Sequence, residues 1–179
     1  MAKIIAIANQ KGGVGKTTTS INLAASLAKA QKRVLLVDLD PQGNATMGSG
    51  IDKNQLQTSM YDVLTGGCPV NQALVNSESG GYQLLPANGD LTAAEVELLD
   101  AWERETILKR ALANLAQEFD FILIDCPPSL NMLTLNALVA ADGVLIPMQC
   151  EYFALEGLSA LSSTIDAIRE GLNQDLRIE

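Results

Sequence analysis

A short apolar run near the start of the chain leads directly into a cluster of glycines. The run is "KIIAIAN" (3–9), the cluster is "QKGGVGK" (10–16), and a helical pattern, "TTTSINLAASLAKA" (17–30), follows and ends near Gln31. When a strand, a glycine turn and a helix succeed one another, backbone N–H groups converge on phosphate oxygens and the helix dipole favours negative charge. These residues therefore predict an α/β domain that begins with a phosphate-binding loop.

Further apolar runs alternate with helical patterns along the chain. Most of them are apolar on both faces, which is typical of strands in a buried parallel sheet. They are "RVLLVDLD" (33–40), "YQLLPA" (82–87), "FDFILID" (119–125) and "GVLIPM" (143–148). The i, i+3, i+4, i+7 spacing from Leu108 to Leu115, and the apolar spacing from Leu158 to Leu172, predict amphipathic helices that cover the sheet. We therefore predict one α/β domain over residues 1–179, with a doubly wound, mainly parallel sheet and helices on both faces.

Two regions depart from this alternation. Residues 41–81 are rich in Gly, Asn, Gln and Ser, and they predict a switch-like loop followed by short helices around "QTSMYDVLTG" and "VNQALV". The last residues, "LNQDLRIE" (172–179), stop where another strand would be expected to begin. We therefore expect the domain to be incomplete at its C-terminal side.

The composition narrows the function classes. The chain has 12 Lys and Arg against 21 Asp and Glu, a net charge of −9 and no histidine, which excludes histidine catalysis and histidine metal ligands. The negative charge also argues against a chain that coats nucleic acid through net charge alone. Cys68, Cys126 and Cys150 form no C-x-x-C pair, so neither a disulfide scaffold nor a zinc site is expected. We expect no signal peptide and no membrane span, and hence a cytoplasmic protein.

The glycine cluster departs from the usual phosphate-loop pattern. That pattern, G-x-x-x-x-G-K-[ST], requires a glycine at position 10, where this chain has Gln10. Glycines lie at 12, 13 and 15 instead, and Lys11 precedes them. We still expect Lys16 to reach the β- and γ-phosphates and the Thr17 hydroxyl to bind Mg²⁺.

Two acidic motifs follow predicted strands. In "VDLDPQGNAT" (37–46), strand alternation puts Asp38 and Asp40 on the same side at a carboxyl end, where ligands bind in open α/β sheets. For Asp38 two interpretations remain open, a capped strand end and a supporting role in the site. In "FDFILIDCPPS" (119–129), four apolar residues precede Asp125, which predicts a carboxylate for the water shell of Mg²⁺ beside Thr17. Asp120 is interpreted as an exposed turn residue and Cys126 as a packing residue.

Together with these acidic motifs, K-G-G-V-G-K-T-T (11–18) resembles the deviant Walker A motif of the ParA/MinD group of P-loop ATPases. The resemblance runs from residue 3 to about residue 172 and is closest to the small ParA proteins, also called Soj. It implies that ATP and Mg²⁺ are bound, that Asp40 orients the attacking water, and that Lys11 reaches the nucleotide of a partner subunit. The implied nucleotide-binding residues are Lys11, Gly12, Gly13, Val14, Gly15, Lys16, Thr17 and Thr18. The implied catalytic residues are Lys11, Lys16 and Asp40, and the implied metal residues are Thr17 and, through water, Asp125.

The same resemblance implies a DNA-segregation (partitioning) ATPase. ATP would drive formation of a sandwich homodimer that binds nonspecific DNA, mostly through residues beyond this chain, and a ParB-type centromere-binding protein would stimulate hydrolysis. The protein would be nucleoid-associated when ATP is bound. The segment "PMQCEYFALEGL" (147–158) resembles a family segment near the dimer face.

Three alternatives are weighed against this interpretation. A MinD-like membrane-associated division-site ATPase would need a C-terminal amphipathic helix, which this chain does not show. An iron–sulfur relative would need cluster cysteines in a pattern that the three cysteines do not match. A scaffold without activity is disfavoured because Lys16, Thr17, Asp40 and Asp125 are all present.

Overall fold

The computed structural model describes residues 1–149 and 154–179, and of residues 154–157 it describes only the helical backbone. Within these residues the centre of the fold is a seven-stranded sheet in the spatial order β3-β4-β2-β5-β1-β6-β7. The strands are β1 (Lys3–Ile7), β2 (Val34–Asp38), β3 (Val75–Ser77), β4 (Tyr82–Leu85), β5 (Phe121–Asp125), β6 (Gly143–Leu145) and β7 (Arg177–Ile178). All neighbouring strands are parallel except β3, which pairs with β4 in the antiparallel sense.

Helices connect most of these strands. They are α1 (Lys16–Lys29), α2 (Asn44–Gly48), α3 (Met60–Thr65), α4 (Leu91–Glu97), α5 (Ile107–Ala113), α6 (Met132–Ala140) and α7 (Ala154–Gly171). Short 3-10 turns cover Lys53–Gln55, Val70–Gln72, Leu98–Asp100 and Arg104–Thr106. Across the described part of the chain, no helix combines the length and the apolar character needed to cross a membrane.

Helices lie on both faces of the sheet because the central strands are apolar on both faces. On one face, Ile7 and Leu36 belong to the same apolar cluster as Ala24 of α1. On the other face, Leu35 clusters with Leu108 of α5 and Ile165 of α7. Burial on both sides is what a parallel sheet requires. The predicted doubly wound, mainly parallel α/β fold is confirmed.

The predicted strands and amphipathic helices are confirmed, whereas α6 was not predicted, for a physical reason. Its sequence, "MLTLNALVA", is buried almost all round, from Leu133 to Ala140, so it lacks the polar stripe that reveals a surface helix. The antiparallel strand β3 and helix α4 were also not predicted. Cys150 and part of the predicted dimer-face segment (147–158) lie outside the described residues.

The strand order brings three carboxyl ends together. β5 lies between β1 and β2, and its last residue, Asp125, is in register with Ile7 on one side and Asp38 on the other. The glycine loop leaves β1 at this edge, and the loop that contains Asp40 leaves β2 beside it. All the predicted site motifs therefore converge at one edge of the sheet, as expected for an open α/β fold.

The opposite edge of the sheet carries Asp120. Its carboxylate accepts hydrogen bonds from the Arg33 backbone N–H and from Arg33 Nη2, each at 2.8 Å. This ion pair lowers the pKa of Asp120 to about 2. Asp120 is thus a partly exposed surface residue with a charged partner, far from the predicted site.

Candidate active site

The glycine loop owes its shape to two residues with positive φ angles. Gly13 has φ 72° and Gly15, the residue before α1, has φ 92°. Residues with a Cβ rarely adopt this left-handed conformation, so these two positions need glycine. Gly12 has no positive φ, and a Cβ added there would come no closer than 4.0 Å to the Pro128 side chain. The loop alone therefore does not explain why residue 12 is a glycine.

A cleft of about 400 Å³ opens in front of this loop. Seven of the predicted site residues line it, namely Gly12, Gly13, Gly15, Lys16, Thr17, Thr18 and Asp40. Gln42, Asn44 and Pro128 complete the lining, although sequence reasoning did not single them out. Helix α1, which is fourteen residues long, begins at the same cleft. The N-terminus of a helix favours bound anions.

Two predicted residues of the loop do not line the cleft. Val14 is buried beneath the loop and belongs to its packing. Lys11 is half-buried, and its backbone N–H donates to Asn9 Oδ1 at 3.0 Å. Asn9 in turn donates from Nδ2 to the Pro147 carbonyl at 2.8 Å. Hydrogen bonds through Asn9 thus connect the start of the loop to the segment that follows β6.

The Lys16 ammonium lies inside the loop. It donates to the Lys11 carbonyl at 3.0 Å, and the residue is buried. Burial lowers the pKa of Lys16, while the nearby carboxylates of Asp125 and Asp40 raise it and oppose that effect. A cation held at the centre of the loop, among backbone N–H groups, can bind a polyanion such as a phosphate chain.

Asp125 lies directly behind Thr17. Its Oδ2 accepts a hydrogen bond from the Thr17 hydroxyl at 2.8 Å, and its Oδ1 accepts one from the Ser20 hydroxyl at 2.7 Å. Burial raises the pKa of Asp125 to about 6, although both hydrogen bonds act to lower it. A hydroxyl and a carboxylate side by side are oxygen donors of the kind that a hard divalent cation prefers.

Sequence reasoning missed Ser20. It is fully buried, and its one hydroxyl hydrogen is shared between Asp125 and the Lys16 carbonyl, which lies 2.9 Å from Ser20 Oγ. Ser20 lies four residues after Lys16 on α1, so both residues share one face of the helix. That spacing was the signal that could have revealed it.

Asp38 shapes the loop that leaves β2. Its carboxylate accepts hydrogen bonds from the backbone N–H of Asp40 at 3.1 Å, and from the backbone N–H and hydroxyl of Thr46 at 2.8 and 2.7 Å. The Thr46 hydroxyl also accepts from the Ala87 backbone N–H at 2.9 Å. Burial raises the pKa of Asp38 to about 7. Asp38 therefore caps its strand and at the same time holds the loop that carries Asp40, so the two interpretations are compatible.

The loop after β5 is fixed by an asparagine that sequence reasoning did not single out. Asn131 Oδ1 accepts from the Thr134 backbone N–H at 3.1 Å and caps α6. Its Nδ2 donates to Glu95 Oε1 at 2.6 Å. Burial raises the pKa of Glu95, and the charge of Asp40 adds to the rise. Hydrogen bonds and charge therefore connect three elements, namely the end of α4, the loop after β5 and the loop after β2.

Comparisons with known proteins show what this chain is similar to. A family model described as "AAA domain" matches residues 2–178. The chromosome partitioning protein ParA of Myxococcus xanthus is 58% identical over 179 residues, which are all of this chain and 63% of that protein. The sporulation initiation inhibitor protein Soj of Bacillus subtilis is 54% identical over 179 residues, all of this chain and 71% of that protein.

A solved structure extends the likeness to the fold. The structure of cobyrinic acid a,c-diamide synthase from Mycobacterium smegmatis with bound ADP and magnesium is 48% identical, with a TM-score of 0.96. The match covers 99% of this chain and 72% of that one.

Proposed function

Since this chain belongs to the ParA/Soj family of AAA-domain ATPases, we propose that it is a Mg²⁺-dependent ATPase for DNA segregation. The observation that carries the proposal is the convergence of Lys16, Thr17 and Asp40 on one cleft, with Asp125 directly behind Thr17. Phosphoryl transfer depends mainly on positioning and on neutralisation of charge. The cleft offers both.

The loop binds and orients the triphosphate. The backbone N–H groups around Gly13 and Gly15 and the Lys16 ammonium supply positive charge on the phosphate side. Thr17 directly, and Asp125 through water, would hold the magnesium ion, whose charge, when it is bound, offsets that of the phosphate oxygens. The Ser20 hydroxyl keeps the Asp125 carboxylate in place.

Asp40 holds the attacking water. Its carboxylate lies at the wall of the cleft, and one of its oxygens already accepts from the Gln42 backbone N–H at 2.9 Å. The water oxygen bonds to the γ-phosphorus as the bond to the bridging oxygen breaks, which gives ADP and phosphate. A carboxylate fixed by its own loop is suited to positioning that water.

Assembly of two chains completes the proposed mechanism. Two chains form a sandwich around two nucleotides, with Lys11 of one chain at the nucleotide of the other. Gly12 permits the close approach of the two loops. The ATP-bound dimer binds nonspecific DNA and is nucleoid-associated, and a ParB-type protein stimulates hydrolysis. The high identity to ParA and Soj over the whole chain supports this role.

The name of the Mycobacterium structure describes amide formation and not DNA segregation. We favour the partitioning role because the ParA and Soj relatives are 58% and 54% identical, against 48% for that structure. The ADP and magnesium bound in that structure concern the part of the chemistry that both assignments share.

Replacement of the water-positioning carboxylate tests the proposal. Asp40→Ala is expected to bind Mg²⁺-ATP with about the affinity of the unmodified protein and to lose turnover, because the residue belongs to the loop after β2 and the phosphate loop itself is unchanged. Lys16→Ala is the matched control and is expected to lose ATP binding itself. Equilibrium nucleotide titration and phosphate release, measured on both variants, separate the two roles. Unchanged ATP hydrolysis in Asp40→Ala would contradict the assignment.

A further inference from the structure

Three large apolar side chains project into solvent within a short segment beside the site. Val96, Leu99 and Trp102 are 68%, 50% and 84% exposed. They lie in "EVELLDAWERE" (95–105), which we call the acidic segment and which joins the end of α4 to α5. Isolated exposed apolar residues are common, but a cluster of large ones marks an interaction site.

A cleft continues this apolar surface. It has a volume of about 200 Å³, and its walls include Leu99, Leu130, Met132 and Leu135. Leu99 therefore belongs both to the exposed cluster and to the cleft. A cleft of this kind can take an apolar side chain from one face of a bound helix.

The charge around the cluster indicates the kind of partner. The acidic segment contains five Asp and Glu residues and one arginine. That arginine, Arg104, is engaged within the segment, with hydrogen bonds to Glu105 at 3.1 Å and to the Leu99 carbonyl at 2.6 Å. An apolar stripe surrounded by carboxylates repels DNA and anionic lipid, and it complements a basic amphipathic segment of another protein.

Both ends of the acidic segment are connected to α6, which follows the loop after β5. At one end, Asn131 donates to Glu95 at 2.6 Å. At the other end, the fully buried Asn136 donates to the Arg104 carbonyl at 2.8 Å and accepts from the Leu108 backbone N–H at 3.1 Å. The acidic segment is therefore hydrogen-bonded at both ends to a helix whose preceding loop carries Pro128 at the phosphate cleft.

We propose that the acidic segment and the Leu99 cleft form the docking surface for a basic amphipathic segment of the protein that stimulates ATP hydrolysis. The inference rests on the proposed function, because it names the surface through which the stimulating partner acts. The partner's apolar side chains cover Trp102 and enter the Leu99 cleft, and its cations face Glu97 and Asp100, since Glu103 is already paired with Arg110 at 2.9 Å. Docking then biases the loop after β5 through Asn131 and Asn136.

Trp102 itself provides the measurement, because it is the single tryptophan of the chain. The probe is a synthetic amphipathic helical peptide of leucine and lysine, and the matched control peptide contains leucine and glutamate. The basic peptide is expected to shift the Trp102 emission to shorter wavelength with saturation, and the acidic peptide is expected to leave it unchanged. An unchanged emission with the basic peptide would overturn the inference.

Charge-reversal variants locate the binding. Asp100→Lys, in the acidic segment, is expected to weaken peptide binding about fivefold, since it removes one exposed charge pair and adds a repulsion. Glu78→Lys, in the exposed turn between β3 and β4, has the same charge change and is expected to alter binding less than about twofold. Equal weakening in both variants would show only a general attraction to an acidic protein and would overturn the inference.

Stimulation of ATP hydrolysis tests the role of the surface. Trp102→Ala is expected to keep the basal turnover and to lose stimulation by the ParB-type protein of the same genome, and undiminished stimulation would contradict the inference. If anionic vesicles, DNA or a second copy of the chain shift the Trp102 emission in the same way, the surface serves another partner and the inference fails.

Absence of basal turnover in the unmodified protein would instead contradict the proposed function. The emission measurement does not depend on turnover and would remain valid.

Discussion

At the scale of single residues, the three glycines of the phosphate loop have different physical roles. Gly13 and Gly15 need their left-handed backbone conformation, whereas Gly12 has an ordinary backbone, and a Cβ there would be in ordinary van der Waals contact with Pro128 at 4.0 Å. A Cβ at position 12 therefore causes no steric clash within its own chain. We expect the main effect of a larger side chain to come from the nucleotide or from a partner chain.

This difference leads to a prediction for Gly12→Val. The variant should fold and bind ATP, because Lys16, Thr17 and the loop N–H groups remain in place. It should not form the ATP-dependent dimer, since overpacking a close contact costs ~1–3 kcal/mol and a two-fold axis imposes the cost twice. ATP titration and size-exclusion chromatography on one preparation measure both properties.

Gly13→Val is the matched control for this prediction. The left-handed conformation at position 13 makes the substitution strained within the monomer, so ATP binding itself should weaken. If Gly12→Val and Gly13→Val weaken ATP binding equally, position 12 is a glycine for the shape of the loop and not for the dimer. A normal ATP-dependent dimer of Gly12→Val would contradict the close approach of two loops.

At the scale of elements, the loop after β2 depends on one hydroxyl. The Thr46 side chain, in α2, donates to Asp38 at the end of β2 and accepts from the Ala87 backbone N–H after β4. Three elements therefore meet at an atom that is fully buried. The position of Asp40 follows from this connection, because Asp38 also accepts from the Asp40 backbone N–H.

Thr46→Val removes this hydroxyl and keeps the shape of the side chain. We expect the free energy of unfolding to fall by about 2 kcal/mol, because the buried Ala87 N–H loses its acceptor and Asp38 loses a donor. Turnover should fall with it, since the loop that holds Asp40 is loosened. Thr46→Ser is the control that keeps both hydrogen bonds. Urea unfolding and phosphate release on both variants check the expectation, and equal stability of Thr46→Val and the unmodified protein would refute it.

At the scale of the whole molecule, two deeply buried carboxyls make the free energy of unfolding depend on pH. Burial raises the pKa of Asp38 to about 7 and that of Asp125 to about 6. In the unfolded chain both groups titrate near their ordinary value of 3.8. Between these pH values the folded state therefore holds more protons than the unfolded state.

The sign of the pH dependence follows directly from this difference. The free energy of unfolding of the nucleotide-free protein should fall as pH rises from about 4 to about 7, by ~1.4 kcal/mol per pH unit for each proton of difference. Asp120, whose pKa is lowered to about 2 by Arg33, acts in the opposite sense but only below its ordinary value. Urea unfolding at a series of pH values measures the slope.

Asp38→Asn supplies the control for the pH prediction. The variant lacks one of the two titrating groups, so its slope in this pH range should be smaller by about one proton. A free energy of unfolding that rises between pH 5 and pH 7 in the unmodified protein would show that these carboxyls remain ionised in the folded state.

The sequence by itself predicted the fold class, which is confirmed, and the members of the glycine loop, whose binding of phosphate stays a prediction. Apolar runs of strand length, glycines before Lys16 and the carboxylates at Asp40 and Asp125 are local signals, and local signals survive in a linear sequence. Even the edge of the sheet that carries the site could be predicted, because strand alternation and the placement of acidic residues after strands fix it.

Only the tertiary structure decided which distant groups support that site. Ser20 meets Asp125 across 105 positions, Thr46 meets Ala87 across 41, and Asn131 meets Glu95 across 36. Helix α6 has no polar stripe, so its place against the sheet could not be predicted from periodicity. The physical reason is common to all four cases. Each depends on the order of strands in the sheet and on burial, and both arise only when segments far apart in the chain pack together.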